Sequence, residues 1–144
     1  MHPVSGSCSC GGIEVLMQLS RPPGEFAPRR CDCDYCALHG AAYVSDAHGS
    51  LSIRVHRPEH RVIERQGSEL AEFLLCRRCG MLIGVLHHEG GHLFGAINAG
   101  IAAKGTNFGP AIAVSPKRLD ADGKRRRWRE VWFPDVLVVE GRPQ

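Results

Sequence analysis

The sequence predicts an all-β fold, and three observations predict it. No stretch of ten or more residues keeps a clean 3.6-residue apolar period. Short apolar segments recur along the chain, several with apolar residues at alternate positions, and Gly and Pro separate them. All seven cysteines fall into three tight clusters, Cys8-x-Cys10, Cys31-x-Cys33-x-x-Cys36 and Cys76-x-x-Cys79, the pattern of a fold held by metal rather than by long helices.

In chain order, residues 1–12 are rich in Ser, Gly and Cys, suited to backbone wrapped around an ion. Ile13, Val15, Met17 and Leu19 alternate and predict a strand that Arg21-Pro22-Pro23-Gly24 ends. A loop with Phe26 and Pro28 leads into the triplet. Ala37 to Gly40 reads as one helical turn stopped by glycine. Ala41–Val44 and Leu51–Val55 read as short strands, with Arg61–Arg65 and Ala71–Leu75 as two more. Cys76-Arg77-Arg78-Cys79-Gly80 resembles a zinc knuckle. Met81–Leu86 and His92–Asn98, separated by Glu89-Gly90-Gly91, predict a hairpin. Residues 101–110 read as a loop. Arg127–Phe133 and Val136–Val139 are the last predicted strands, broken by Pro134.

At 144 residues the chain is expected to form a single domain, 1–144. Its 43% hydrophobic content excludes disorder. Apolar runs of only a few residues leave no membrane span, and Met1 to Gly12 lacks the apolar core of a secretory signal. A cytoplasmic, reducing setting is therefore expected, where clustered cysteines serve as ligands more often than as disulfides. The formal charge is +3 with thiols neutral. Seven thiolates and two zinc ions would change it by roughly −3, so the global balance points to no particular macromolecular partner.

Seven thiolates suffice for one closed four-ligand site, with three left over. Four protein ligands make a structural zinc, whereas three leave a position for substrate. The simplest partition joins Cys8, Cys10, Cys76 and Cys79 in the structural site and leaves Cys31, Cys33 and Cys36 with a catalytic ion. The competing partition combines two triplet members with Cys76 and Cys79. His39, three residues beyond Cys36, is the candidate that would close the triplet site. Asp32 and Asp34 read as solvated turn residues. Three thiolates over-neutralise zinc and weaken it as an activator of water, so the site suits a soft fourth ligand, a small-molecule thiol. Sulfur addition to a small carbonyl, or its reverse, is the implied chemistry. Glu14, Phe26 and Phe108 are candidates to line a pocket, though no spacing argument assigns them.

Gly6-Ser7-Cys8-Ser9-Cys10-Gly11-Gly12, the triplet, Phe73-x-x-Cys76-x-x-Cys79-Gly80 and Ile97-Asn98-Ala99-Gly100-Ile101 together resemble the glutathione-dependent formaldehyde-activating enzymes, a family that includes centromere protein V. The resemblance covers about residues 6 to 103. It implies a β-tent of short antiparallel sheets and two zinc ions. The structural zinc maps onto Cys8, Cys10, Cys76 and Cys79, and the catalytic zinc onto Cys31, Cys33 and Cys36. It also implies a carbon–sulfur lyase activity joining glutathione to formaldehyde, as an S-(hydroxymethyl)glutathione synthase does. Asp32 stands where the family often has His, and its charge opposes an anionic ligand, an effect that Arg29 and Arg30 can offset.

The alternative function is a non-catalytic, zinc-stabilised binding module using the basic run Lys124-Arg125-Arg126-Arg127-Trp128-Arg129. The same run reads equally as the solvated edge of a strand. One six-residue patch in a near-neutral chain is thin support for nucleic acid, so no such partner is expected. Oligomeric state has no signature in the sequence.

Overall fold

The computed structural model describes residues 1–65 and 70–141. Eleven strands, two α-helices and a few single 3₁₀ turns build it. The strands gather in two sheets. The smaller holds β1 (His2–Ser7), β2 (Ile13–Leu19), β5 (Ser50–Val55) and β11 (Leu137–Glu140), in the order β1-β2-β5-β11. The larger holds β3 (Arg29–Cys31), β4 (Ala42–Val44), β6 (Arg61–Arg65), β7 (Glu72–Cys76), β8 (Leu82–Glu89), β9 (His92–Asn98) and β10 (Ile112–Val114). Its order is β10-β3-β4-β9-β8-β7-β6. Pairing is antiparallel except at two edges, where β10 runs parallel to β3 and β11 parallel to β5.

The alternation read from the sequence sets the smaller sheet. Ile13, Val15, Met17 and Leu19 are each at most 4% exposed. Ile13, Val15 and Met17 sit in register with Val55, Ile53 and Leu51, so both strands turn one apolar face to the same core. The larger sheet has a core on each side. Leu74, Ile83 and Ile97 face the smaller sheet, while Phe73, Leu75, Val85 and Ala96 face the opposite way. Burial on both faces explains why β8 reads as an unbroken apolar run rather than an alternating one.

The predicted strand at Arg127–Phe133 is corrected by the structure. Residues Ala121–Val131 form a helix, α2, and Phe133 makes only an isolated bridge to Gly95. The Asp120 carboxylate accepts from the Gly123 N–H at 2.7 Å and caps its first turn. Trp128 and Trp132, one helical turn apart, stack with centroids 4.9 Å apart and cover the outer face of the larger sheet. A four-residue spacing puts both indoles on one helix face, whereas a strand would need an even, two-residue alternation of the whole segment. The N-terminus is a second correction. Residues 2–7 are strand, paired throughout with β2, and only residues 8–12 wrap a cysteine turn. The helical turn expected at Ala37–Gly40 begins earlier, as α1 (Asp34–Leu38), and Gly40 follows it at φ +60°.

Close packing of β8 on β9 gives a direct test. A Cβ on Gly84 would lie 2.3 Å from the Ala96 carbonyl oxygen. Gly84→Ala is expected to cost about 1–3 kcal/mol, as overpacking of a filled core does. Thermal unfolding of the variant against the parent checks it.

Candidate metal centres and the cavity beside the cysteine triplet

Two hairpin turns, one from each sheet, meet at the first cysteine group. Between β1 and β2, the Gly11 N–H donates to the Cys8 carbonyl at 3.0 Å and the Cys8 N–H to Ile13. Between β7 and β8, the Gly80 N–H donates to the Cys76 carbonyl at 2.8 Å and the Cys76 N–H to Met81. The two turns are built alike. In each, the residue after the second cysteine is a glycine in the left-handed region, Gly11 at φ +76° and Gly80 at φ +75°. The glycine that closes the knuckle read from the sequence, Gly80, therefore has a backbone reason.

The sulfurs of Cys8, Cys10, Cys76 and Cys79 all lie within 4.8 Å of one another. Cys8 to Cys10 and Cys10 to Cys76 are each 3.6 Å. A tetrahedral zinc with bonds of about 2.3 Å would set its sulfurs about 3.8 Å apart, so the donor set fits such an ion. Burial raises the Cys76 thiol to about 12. Cys79, although burial pushes it upward too, is drawn down to about 6 by the N–H groups of Met81 and Cys10 and by the Cys76 and Cys8 thiols. Thiols this close cannot all ionise without a cation among them.

The second group is local. Cys31 ends β3, Cys33 is the N-cap of α1, and Cys36 lies in its middle. Their sulfurs again lie within 4.8 Å of one another. The Cys36 N–H donates to Cys33 Sγ at 3.4 Å. The Tyr43 hydroxyl, carried by the neighbouring strand β4, sits 3.2 Å from Cys36 Sγ. Cys31 is lowered to about 6, chiefly by the hydrogen bond from Cys36, whose own thiol is pushed up by that same contact and by burial. Three sulfurs this close form a donor set that a soft cation fits.

A cavity of about 380 Å³ opens beside the triplet. Cys31, Cys33 and Cys36 form one wall, with Asp34 and Tyr35 beside them. Phe73 and Val85 of the larger sheet form the floor, and Trp128 and Trp132 of α2 the roof. Arg29, Lys124 and Arg127 complete it with cations. None of Cys8, Cys10, Cys76 or Cys79 lines this cavity. Arg29 is lowered to about 10, by burial first and then by the charge of Arg127.

The candidates from sequence are distributed unevenly. His39 is not among the donors grouped with the triplet; its ring packs on Tyr35, with centroids 4.7 Å apart. Asp32 accepts from the Ser115 hydroxyl and does not line the cavity, whereas Asp34 does. The negative charge expected to repel an anionic ligand is thus held at the outside of the turn. Glu14 pairs with His56 at 3.1 Å, and Phe26 and Phe108 belong to the core between the sheets. None of the three lines the cavity. The run 124–129 is helix, not strand edge. Arg125 pairs with Asp122 and Arg129 with Glu89, Trp128 is buried, and Lys124 and Arg127 face the cavity. The sequence assigns Lys124, Arg127 and Trp128 to a separate basic patch and not to the triplet site, which the structure brings them to. The spacing of Lys124, Trp128 and Trp132 at successive fourth positions, behind the capping Asp120, was the signal that could have placed them on one helix face.

Comparison with known proteins adds a family and a fold. The family model for glutathione-dependent formaldehyde-activating enzymes matches residues 3–118. A crystal structure of a Rhodobacter sphaeroides protein aligns with a TM-score of 0.55 and 26% identity, over 72% of this chain and 90% of that one. No curated protein matches the chain. Helix α2 begins at Ala121, beyond the residues matched by the family model.

Because the four-cysteine group joins two sheets while the triplet sits within one chain segment, the two should differ under substitution. Cys76→Ser is expected to lower stability by about 4 kcal/mol or more, the scale of losing a structural metal. Cys33→Ser is expected to cost much less. Each should remove close to one ion per chain, read by metal analysis beside thermal unfolding.

Proposed function

Because this chain belongs to the glutathione-dependent formaldehyde-activating enzyme family, we propose that it is a zinc-dependent carbon–sulfur lyase that joins a small-molecule thiol such as glutathione to formaldehyde or another small carbonyl. The observation that carries this reading is the position of Cys31, Cys33 and Cys36 on the wall of a cavity, away from the four cysteines that tie the sheets. In the proposal, Cys8, Cys10, Cys76 and Cys79 hold a structural zinc. Cys31, Cys33 and Cys36 hold a catalytic one, within a single domain spanning 1–144. A zinc ion at the triplet would supply a soft acid that favours a thiolate as its partner.

The chain's own residues do the rest. Tyr43, against Cys36 Sγ, fixes the triplet's buried member and presents its hydroxyl to a sulfur-rich site. Phe73, Trp128 and Trp132 exclude water, so that a thiolate meets its carbonyl without a competing hydration shell. The reaction forms one C–S bond. The thiol proton ends on the former carbonyl oxygen, so no oxidant or reductant is needed. Among the described residues Asp34 is the carboxylate that lines the cavity, and in this reading it carries that proton. A reducing cytoplasm, where clustered cysteines serve as ligands rather than disulfides, is the setting this reading takes. Among the described residues, no helix is long and apolar enough to cross a membrane.

The test is a titration of cobalt-substituted protein with glutathione, followed by its visible bands. Thiolate binding is expected to shift and intensify them, and Cys33→Ser to abolish the response. An unchanged spectrum at millimolar thiol would remove the basis for the reading. With formaldehyde present, the parent should speed loss of free thiol and Asp34→Asn should slow it by about 10²-fold, the usual worth of a general acid–base.

A further inference from the structure

One buried titratable pair lies against helix α2 and takes no part in the chemistry above. His87, near the end of β8, is 5% exposed. Its ring meets that of Trp128 in a T-shaped contact, with centroids 4.8 Å apart. Its Nδ1 lies 3.0 Å from the Leu70 carbonyl oxygen, ahead of β7. Its Nε2 faces Glu89 Oε2 at 3.5 Å. Both of these last atoms are buried, and neither has a hydrogen-bond partner among the described residues. The other oxygen of Glu89 accepts from Arg129 of α2 at 2.5 Å. Contacts therefore run from the sheet, through His87 and Glu89, to Trp128 and Arg129 on the helix that roofs the cavity.

Counting protons shows what this arrangement asks for. A carbonyl oxygen and a carboxylate can only accept, whereas a neutral imidazole has one N–H and one lone pair. With the proton on Nδ1, the Nε2 lone pair faces Glu89. With the proton on Nε2, the Nδ1 lone pair faces Leu70. Either tautomer leaves two acceptors opposed in a buried place, which is unfavourable. One more proton removes the conflict, because an imidazolium donates on both sides. Among the described residues, the charged groups around the pair have other partners or other places. His92, opposite Glu89 in the hairpin, bonds Asp135 at 2.8 Å. Arg65 and His88 pair with Glu72 of β7. On α2, Arg125 pairs with Asp122, and Lys124 lines the cavity. Phe94, opposite His87 on β9, carries no charge.

We propose that His87 and Glu89 form a proton-operated latch on helix α2, which holds Trp128 down as the cavity's roof while the proton is bound and lets it lift when the proton leaves. His87 is a positioning residue. It does not line the cavity and acts through Trp128 and, by way of Glu89, through Arg129. The helix pivots about its C-terminal end, where the Ser45 hydroxyl holds the Val131 carbonyl and Phe133 pairs with Gly95. The closed form binds one proton more than the open form. Falling pH therefore favours closure, and rising pH favours opening. The latch depends neither on which ion the triplet holds nor on what that ion binds.

The experiment uses the full, zinc-loaded chain and its two tryptophans, both of which line the cavity. Acrylamide quenching of their fluorescence is followed from about pH 5 to 8, the range in which imidazoles titrate. In the parent, the quenching constant should rise by about twofold or more across that range as the open population grows. Glu89→Gln offers an amide N–H to the Nε2 lone pair while its oxygen stays with Arg129, so it should keep the low constant up to the top of the range. His87→Gln should flatten the profile. His88→Gln, at an exposed neighbour, should leave it intact. Circular dichroism establishes that each variant is folded, and Glu89→Gln decides alone if His87→Gln is not. Long-range proton–nitrogen NMR of the imidazoles supplies the second readout: both His87 ring nitrogens should carry protons at the acid end and lose one in step with the quenching. A flat parent profile, or a pH response that survives in His87→Gln or in Glu89→Gln, would overturn the latch. No thiol or cobalt enters these measurements, so that outcome leaves the proposed chemistry standing.

Discussion

The junction of four sulfurs at the meeting of two turns is the constraint from which the rest of this molecule follows. Each sheet contributes one hairpin, and each hairpin ends in a cysteine turn closed by a left-handed glycine. Bringing Cys8 and Cys10 to within 4.8 Å of Cys76 and Cys79 fixes the angle and depth at which the sheets pack. The apolar faces of β2, β5, β7, β8 and β9 then close on one another. A metal held at this junction would staple the core between the two small sheets, because an ion bound only by the folded chain adds its binding energy to folding.

Fixing the sheets frees the other side of the larger one for chemistry. Its outer face carries Phe73, Leu75 and Val85, residues that would face water unless covered. Helix α2 covers them with Trp128 and Trp132. The cover is held in place from several directions: the Phe133 backbone paired with Gly95, the Ser45 hydroxyl on the Val131 carbonyl, and the Arg129–Glu89 pair. It stands off the sheet at the end where β3 and α1 present Cys31, Cys33 and Cys36, and the gap is the cavity. A thiolate triplet, an aromatic roof and a cationic wall thus meet without any of them being adjacent in the sequence to all the others.

Much of this was legible beforehand. Cysteine spacing marked the three clusters, because Cys-x-Cys and Cys-x-x-Cys are set by turn geometry that needs no long-range information, but it left two partitions among them open, and the fold is what brings Cys8 and Cys10 to Cys76 and Cys79. Period-two alternation identified β2 and β5, and the Gly90-Gly91 turn identified the hairpin of β8 and β9. Helix α2 was missed because its inner face mixes two cations with two indoles, so hydrophobicity alone shows no stripe. Strand β1 was missed because it is a polar edge strand whose register comes from β2 rather than from its own pattern. The meaning of Lys124 and Arg127 was hidden for the same reason as α2: a cation's role depends on which face of which element carries it.

What the sequence determined by itself is therefore the local chemistry: mostly β segments and three cysteine clusters, two of them in turns with glycine behind them. These depend on neighbours within a few residues. What only the tertiary structure decided is the company the triplet keeps. Arg29 from β3, Tyr43 from β4, Phe73 from β7 and Lys124, Arg127, Trp128 and Trp132 from α2 converge across nearly the whole chain. Convergence of that kind is set by packing and sheet order, and no local pattern encodes the distance between residues that far apart along the chain.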